Sequence, residues 1–78
     1  MDKIGQRIKI FRQRKGYNLT KFAEEMGLSL SYMSQIENGK SNISVALLFE
    51  IAKKLELPSV SVLLDYTPRE EVQEIRAE

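Results

Sequence analysis

The 78-residue sequence predicts an all-α fold: a compact bundle of five short helices, with start signals for a sixth near the C-terminus. Three observations carry this. Apolar residues recur at three- and four-residue spacing, and no strand can be read. Stops and starts fall between the periodic stretches, with Gly16 before Asn18, Gly27 before Ser29 and Gly39 before Ser44. The intervening connections are a few residues long, as a compact helical domain requires.

The first helix runs from about Asp2 to Lys15, because Ile4, Ile8 and Phe11 form an inward stripe and Gly16 follows as a stop. Asn18 caps a second helix whose inner face is Phe22, Ala23 and Met26, and Gly27 ends it. Ser29 caps the third, which runs to Asn38 before Gly39 breaks it. Lys40, Ser41 and Asn42 form a loop into a fourth helix from about Ser44 to Leu55, and Pro58 bars its continuation. Ser59 caps a short fifth helix from Val60 to Leu64. Thr67 as N-cap, Pro68 at the first helical position and Glu70 and Glu71 in the first turn open a sixth. That segment has only Val72 and Ile75 to bury, so it frays unless a partner covers it. Residues 1–66 therefore read as one domain and residues 67–78 as an acidic tail.

A chain of this size buries only about 60% of its unfolded surface and holds one domain. It has no cysteine and no histidine, which removes disulfides, thiolate metal sites and the commonest general base. No acidic pair stands beside a nucleophile, so an enzyme is not expected, and neither a cofactor nor a small-molecule ligand is implied. No stretch approaches the roughly 20 apolar residues that span a bilayer, and the expectation is a cytoplasmic chain. The net charge of +1 conceals an asymmetry. Residues 1–54 carry ten Lys or Arg against five Asp or Glu, giving +5; residues 55–78 carry two against six, giving −4. Such a split suits a polyanion binder and equally an ordinary solvated surface.

The third helix is the candidate site. At about 100° per residue, Leu30, Ser34, Asn38, Ser31 and Gln35 fall within one arc of about 140°. Tyr32, Met33, Ile36 and Glu37 take the other side. Small polar residues around one longer amide suit the floor of a DNA major groove, where bulky side chains would hold the helix off the base edges. Gln35 can make paired hydrogen bonds to adenine, Ser31 can bond several base edges, and Leu30 can meet a thymine methyl. A generic amphipathic helix would explain the serines as well. The stop at Gly27, the short connection and the new helix capped at Ser29 add the spacing of a helix-turn-helix over about residues 19–38.

The segment "IGQRIKIFRQRKGYNLTKFAEEMGLSLSYMSQIENGKSNISVALLFEIAKKLEL" resembles the Cro/C1-type (lambda-repressor-like) helix-turn-helix family of phage repressors and small bacterial regulators. The likeness covers about residues 4–64, and Phe22, Ala23, Gly27, Ile36, Glu37 and Gly39 match the family pattern. Among short chains it is similar to small phage-type repressors and restriction-modification controller proteins. The resemblance implies base contacts from Leu30, Ser31, Ser34 and Gln35, and contacts to the DNA backbone from Asn18, Asn38 and Lys40 and from Tyr32 at the edge of the arc. It also implies a structural ion pair between Arg12 and Glu37. Three positions depart from the pattern: Ile43 replaces a proline, Pro58 adds a residue before the fifth helix, and Ile10 stands where a polar residue is usual.

One helix contacts few base pairs, so a homodimer on a near-palindromic stretch of double-stranded DNA is expected. Apolar residues wrap about half of the fourth helix. Leu47 and Ile51, with Val60, Leu63 and Leu64, are the expected dimer seam, unless all of them fill one core. The resulting expectation is a sequence-specific transcriptional regulator; the alternative is a protein-interaction or antitoxin-like subunit that captures its partner through the acidic tail.

Overall fold

Among the described residues, four α-helices and one 3₁₀ turn follow in chain order: α1 (Lys3–Arg14), α2 (Leu19–Met26), α3 (Leu30–Glu37), α4 (Val45–Lys54) and the turn Val60–Val62. A computed structural model describes residues 3–64. The expectations for a helix start at Asp2, the boundary at residue 66, the sixth helix from Thr67 and the tail of residues 67–78 lie outside the described residues.

The starts are where the sequence places them. Asn18 Oδ1 accepts from the Lys21 amide at 2.7 Å, Ser29 Oγ from Tyr32 at 3.0 Å and Ser44 Oγ from Leu47 at 3.1 Å. Each satisfies an amide that the first helical turn leaves unpaired, a contribution of about 1 kcal/mol. The helix ends share one device. A left-handed residue follows each helix: Gly16 at φ 87°, Gly27 at 71°, Gly39 at 74° and, without the freedom of a glycine, Glu56 at 59°. The next amide then reaches back five residues, from Tyr17 to the Arg12 carbonyl at 3.1 Å, Leu28 to Ala23 at 2.9 Å, Lys40 to Gln35 at 2.8 Å and Leu57 to Ala52 at 3.0 Å. These are Schellman closures.

Ile8, Phe22, Met33, Ile51 and Leu63 are fully buried, one or more from each helix and the last from the end of the 3₁₀ turn. Ala23, Ile36, Leu48, Ala52 and Leu55 complete the core, and Ile4, Phe11 and Met26 pack against it. At about 1.5–3 kcal/mol for each large apolar side chain removed from water, this cluster is the main favourable term in folding. The Tyr17 ring packs tilted on Phe22, centroids 5.3 Å apart.

Two expectations are corrected. The fifth element is a 3₁₀ turn over Val60–Val62, not an α-helix to Leu64. Its bonds span three residues, Val62 to Ser59, Leu63 to Val60 and Leu64 to Ser61. β-Branched Val60 and Val62 resist α-helix, and Ser59 Oγ binds the Ser61 amide at 3.1 Å, a local bond that competes with it. The second correction concerns the seam. Ile51 and Leu63 are 0% exposed and belong to the core, so they have no surface for a second chain. Leu47, Val60 and Leu64 are half-buried against that core. The large apolar side chains left open on α4 are Val45 and Phe49. Ile10 on α1 is also exposed, at 46%.

Candidate nucleic-acid interface

Among the described residues, α3 is held from behind and largely exposed in front. Met33, Ile36 and Glu37 are buried, whereas Leu30, Ser31, Gln35 and Asn38 are exposed and Tyr32 and Ser34 are half-buried. Burial of Met33, Ile36 and Glu37 follows the angular map drawn from the sequence, whereas Ser34 and Tyr32, from opposite sides of that map, are both half-buried. Leu30 leaves 47% of its surface open. α2 packs against α3 through the Gly27–Ser29 connection, and Leu28 within that connection packs on the core.

Two features of α1 fix the C-terminal end of α3. The first is Gly5. A Cβ there would lie 2.3 Å from the Ile36 carbonyl oxygen and 2.6 Å from that of Glu37, so the two backbones meet with no room for a side chain. The second is the Arg12–Glu37 pair. Arg12 Nε donates to Glu37 Oε2 at 2.7 Å and Nη2 to Oε1 at 3.0 Å, while Nη1 donates to the Tyr17 carbonyl at 2.8 Å. Both residues are buried, so Arg12 is a strut and its charge is not offered to solvent.

The polar face has its own bonds. Ser41 Oγ donates to Gln35 Oε1 at 2.9 Å, and Asn38 Nδ2 donates to Ser34 Oγ at 3.4 Å. Lys40 is exposed directly after α3. Asn18 commits its side-chain oxygen to the cap of α2 and keeps its amide group for any outside contact. The structure thus brings Leu30, Ser31, Ser34, Gln35, Asn38 and Lys40 together on and just beyond one helix, with Asn18 at the start of the helix before it.

Sequence reasoning missed Ser41 and Gly5 as contributors. Ser41 was legible in principle, since Gly39 after a helix announces a closure that folds the next residues back over the last turn. Gly5 carried a weaker signal: an isolated glycine inside a helical pattern that a packing contact explains.

Elsewhere, a cleft of about 500 Å³ runs between α2 and α4, lined in part by Tyr17, Glu25, Leu47, Lys54 and Glu56. Of its charged lining residues, Glu25 and Lys54 pair with each other and Glu56 pairs with Lys15 beside it, while Glu50 and Lys53 also line it. Lys54 Nζ lies 3.0 Å from Glu25, which also receives the Tyr17 hydroxyl at 3.5 Å, and Lys15 pairs with Glu56. The bond from Lys54, aided by the charges of Lys54 and Lys21, holds the Glu25 carboxyl below its ordinary range, and the same bond raises Lys54. Lys15 lowers Glu56 in the same way. These are surface pairs that tie α4 to α1 and α2 and form no acid–base apparatus. Among the described residues no helix is long and apolar enough to cross a membrane.

The chain was compared with known proteins. Residues 8–61 match the HTH_3 helix-turn-helix family. The HTH-type transcriptional regulator SinR of Bacillus subtilis is 46% identical over 63 residues, 80% of this chain and 56% of SinR. The chain therefore spans about half the length of that relative. A crystal structure of SinR, a master regulator for biofilm formation, in complex with DNA superposes with a TM-score of 0.70 at 46% identity, covering 80% of this chain and 98% of that one. The restriction-modification controller protein C.AhdI from Aeromonas hydrophila superposes with a TM-score of 0.73 at 30% identity, covering 81% and 94%. On its helix order, on the Gly27 turn between α2 and α3, and on these matches, the chain belongs to the HTH_3, Cro/C1-type helix-turn-helix family.

Proposed function

We propose that this chain is a DNA-binding transcriptional regulator that reads a near-palindromic operator as a homodimer, through α3, and has no catalytic role. The observation that carries the reading is the outward face of Leu30, Ser31, Ser34 and Gln35 on a helix gripped from behind by Met33, Ile36 and the Arg12–Glu37 pair. A relative 46% identical over the matched 80% of this chain has been solved with DNA bound, which favours nucleic acid over a protein partner for that face.

In this reading Gln35 and Ser31 bond base edges, Ser34 lies beside them and Leu30 meets a thymine methyl. Asn18, Tyr32, Asn38 and Lys40 contact phosphates and set the register, as does the amide-rich start of α2. Pairing of two chains doubles a site that one helix alone reads too briefly. Val45 and Phe49, 68% and 53% exposed on one side of α4, are the apolar surface available for it, with the half-buried Leu47, Val60 and Leu64 nearby in sequence.

Selection of bound duplexes from a random pool, at a fixed and stated salt concentration, tests the proposal. The expected product is a sequence with two-fold symmetry whose half-sites lie about 34–36 Å apart along the duplex. A pool that shows no enrichment removes DNA reading, and an enriched site without symmetry removes the homodimer.

A further inference from the structure

We infer that Ser41, which lies outside the recognition helix, is a positioning residue for Gln35 and so helps to set base choice at the position Gln35 reads. The inference rests on the DNA-reading role proposed for α3.

A glutamine on an exposed helix face has three freely turning side-chain bonds and samples many positions; a site reads a base well only when the reading group is held in place beforehand. In this chain the holding group arrives through the backbone. Gly39 takes φ 74°, its amide bonds the Ile36 carbonyl at 3.1 Å, and the Lys40 amide bonds the carbonyl of Gln35 itself at 2.8 Å. The chain is thereby folded back over the last turn of α3. The next residue, Ser41, comes to rest with its hydroxyl 2.9 Å from Gln35 Oε1.

The loop does not drift away from this position. Ile43 packs against the core and Ser44 caps α4, so Ser41 is fastened on both sides, and it is half-buried while Gln35 is exposed. The bond joins a group anchored through the backbone to an exposed one. It occupies one lone pair of the amide oxygen and leaves a second, together with both Nε2 hydrogens, for a base edge. Neither Ser41 nor Gln35 carries a charge, so the pair adds nothing to counterion release or long-range attraction, and while the Ser41 hydroxyl is engaged with Gln35 the effect falls on discrimination.

The test uses the full chain as wild type, Ser41→Ala, Ser41→Thr, Gln35→Ala and the double variant Ser41→Ala/Gln35→Ala. In the free protein, the NMR signal of the Gln35 side-chain amide is expected to shift and to show greater mobility in Ser41→Ala and to keep its wild-type character in Ser41→Thr. Binding is then measured, at one salt concentration, to the selected duplex, to its single-base-pair variants and to random DNA. Ser41→Ala is expected to reduce discrimination by about three- to tenfold at the base pair that Gln35→Ala identifies, the range a single hydrogen bond supports. Discrimination elsewhere and binding to random DNA stay unchanged, Ser41→Thr restores the preference, and Ser41→Ala adds nothing once Gln35 is gone. An unmoved amide signal, an unchanged preference, or an equal loss on every duplex overturns the inference alone; the last would make Ser41 a phosphate contact or a loop brace. Absence of any selected duplex overturns the reading of α3 and the inference together.

Discussion

Arg12 grips Glu37 with two parallel hydrogen bonds, at 2.7 and 3.0 Å, across the contact between α1 and α3, and its third donor closes on the Tyr17 carbonyl at 2.8 Å. All three guanidinium nitrogens bond inside the protein. Loss of one partner leaves a buried charge uncompensated, which costs about 3–5 kcal/mol. Arg12→Met and Glu37→Leu are therefore each expected to lower the unfolding free energy measured in urea by that amount, whereas the double variant loses less than either because no orphan charge remains. Additive losses in the double variant would show that the pair is not coupled.

Gly5 makes the second contact between the same two helices, by the opposite means: absence of a side chain rather than reach of one. Alanine favours helix over glycine by about 1 kcal/mol, so on propensity alone Gly5→Ala should stabilise α1. The Cβ would stand 2.3 Å from the Ile36 oxygen, a backbone atom that cannot turn aside. Overlap is expected to win, with a net loss of about 1–3 kcal/mol. For a domain of this size that is a fall in Tm of roughly 4–8 °C per kcal/mol. A Tm equal to or above wild type would mean that α1 and α3 do not approach so closely.

Those two contacts mark the limit of what a linear reading reveals. Helix starts were legible because Asn18, Ser29 and Ser44 act on their own next turn, and the outward arc of α3 was legible because helical geometry is a fixed rotation per residue. Arg12–Glu37 spans 25 positions and came from resemblance, not from spacing. The seam was misplaced at Ile51 and Leu63 because an apolar surplus on α4 shows that two surfaces exist without showing which residues face each. Burial sorts them, sending Ile51 inward and leaving Phe49 outside. The fifth helix was misread because a cap and a few apolar residues suit a 3₁₀ turn as well as an α-helix.

Glu56 is a non-glycine in the position that Gly16, Gly27 and Gly39 fill in the other helices. Left-handed geometry costs an ordinary residue about 1–2 kcal/mol, because Cβ crowds the carbonyl oxygen. Its exposed pairing with Lys15 recovers little of that. Both Glu56→Ala and Glu56→Gly lose the pair, and only the second relieves the crowding. The glycine variant is expected to be more stable than the alanine variant by about 1 kcal/mol in denaturant titration, and the reverse order would remove the left-handed assignment.

Acid should weaken the same side of the molecule. Glu25 and Glu56 titrate below their ordinary value of 4.5 in the folded chain, held there by Lys54 and Lys15. Their contribution is therefore present above pH 4.5 and is lost as pH falls through the lowered folded values. Lys54 is raised above its ordinary 10.5, so its contribution is full below that pH and lost as pH rises through the raised value. The denaturation midpoint should fall on the acid side below about pH 4.5, and Glu25→Gln should make that fall shallower. Molar salt should flatten it too, because these pairs are open to solvent. An acid limb unaffected by Glu25→Gln would place its origin elsewhere.

The sharpest contrast lies between Gln35 and Lys40, neighbours joined by the 2.8 Å bond that closes α3 yet assigned different work. An amide in the groove bonds a particular base edge, and its loss is felt at one base pair; an ammonium beside phosphates releases counterions and is indifferent to sequence. Gln35→Ala is expected to weaken the selected duplex by about 1–3 kcal/mol while leaving random DNA nearly unchanged. Lys40→Ala is expected to weaken both alike and to reduce the slope of log affinity against log salt by about 0.9. Titrations of both variants on both duplexes at several salt concentrations separate the two. Equal losses for Gln35→Ala on selected and random DNA would take that residue out of the groove, and an unchanged salt slope for Lys40→Ala would take its charge away from the phosphates.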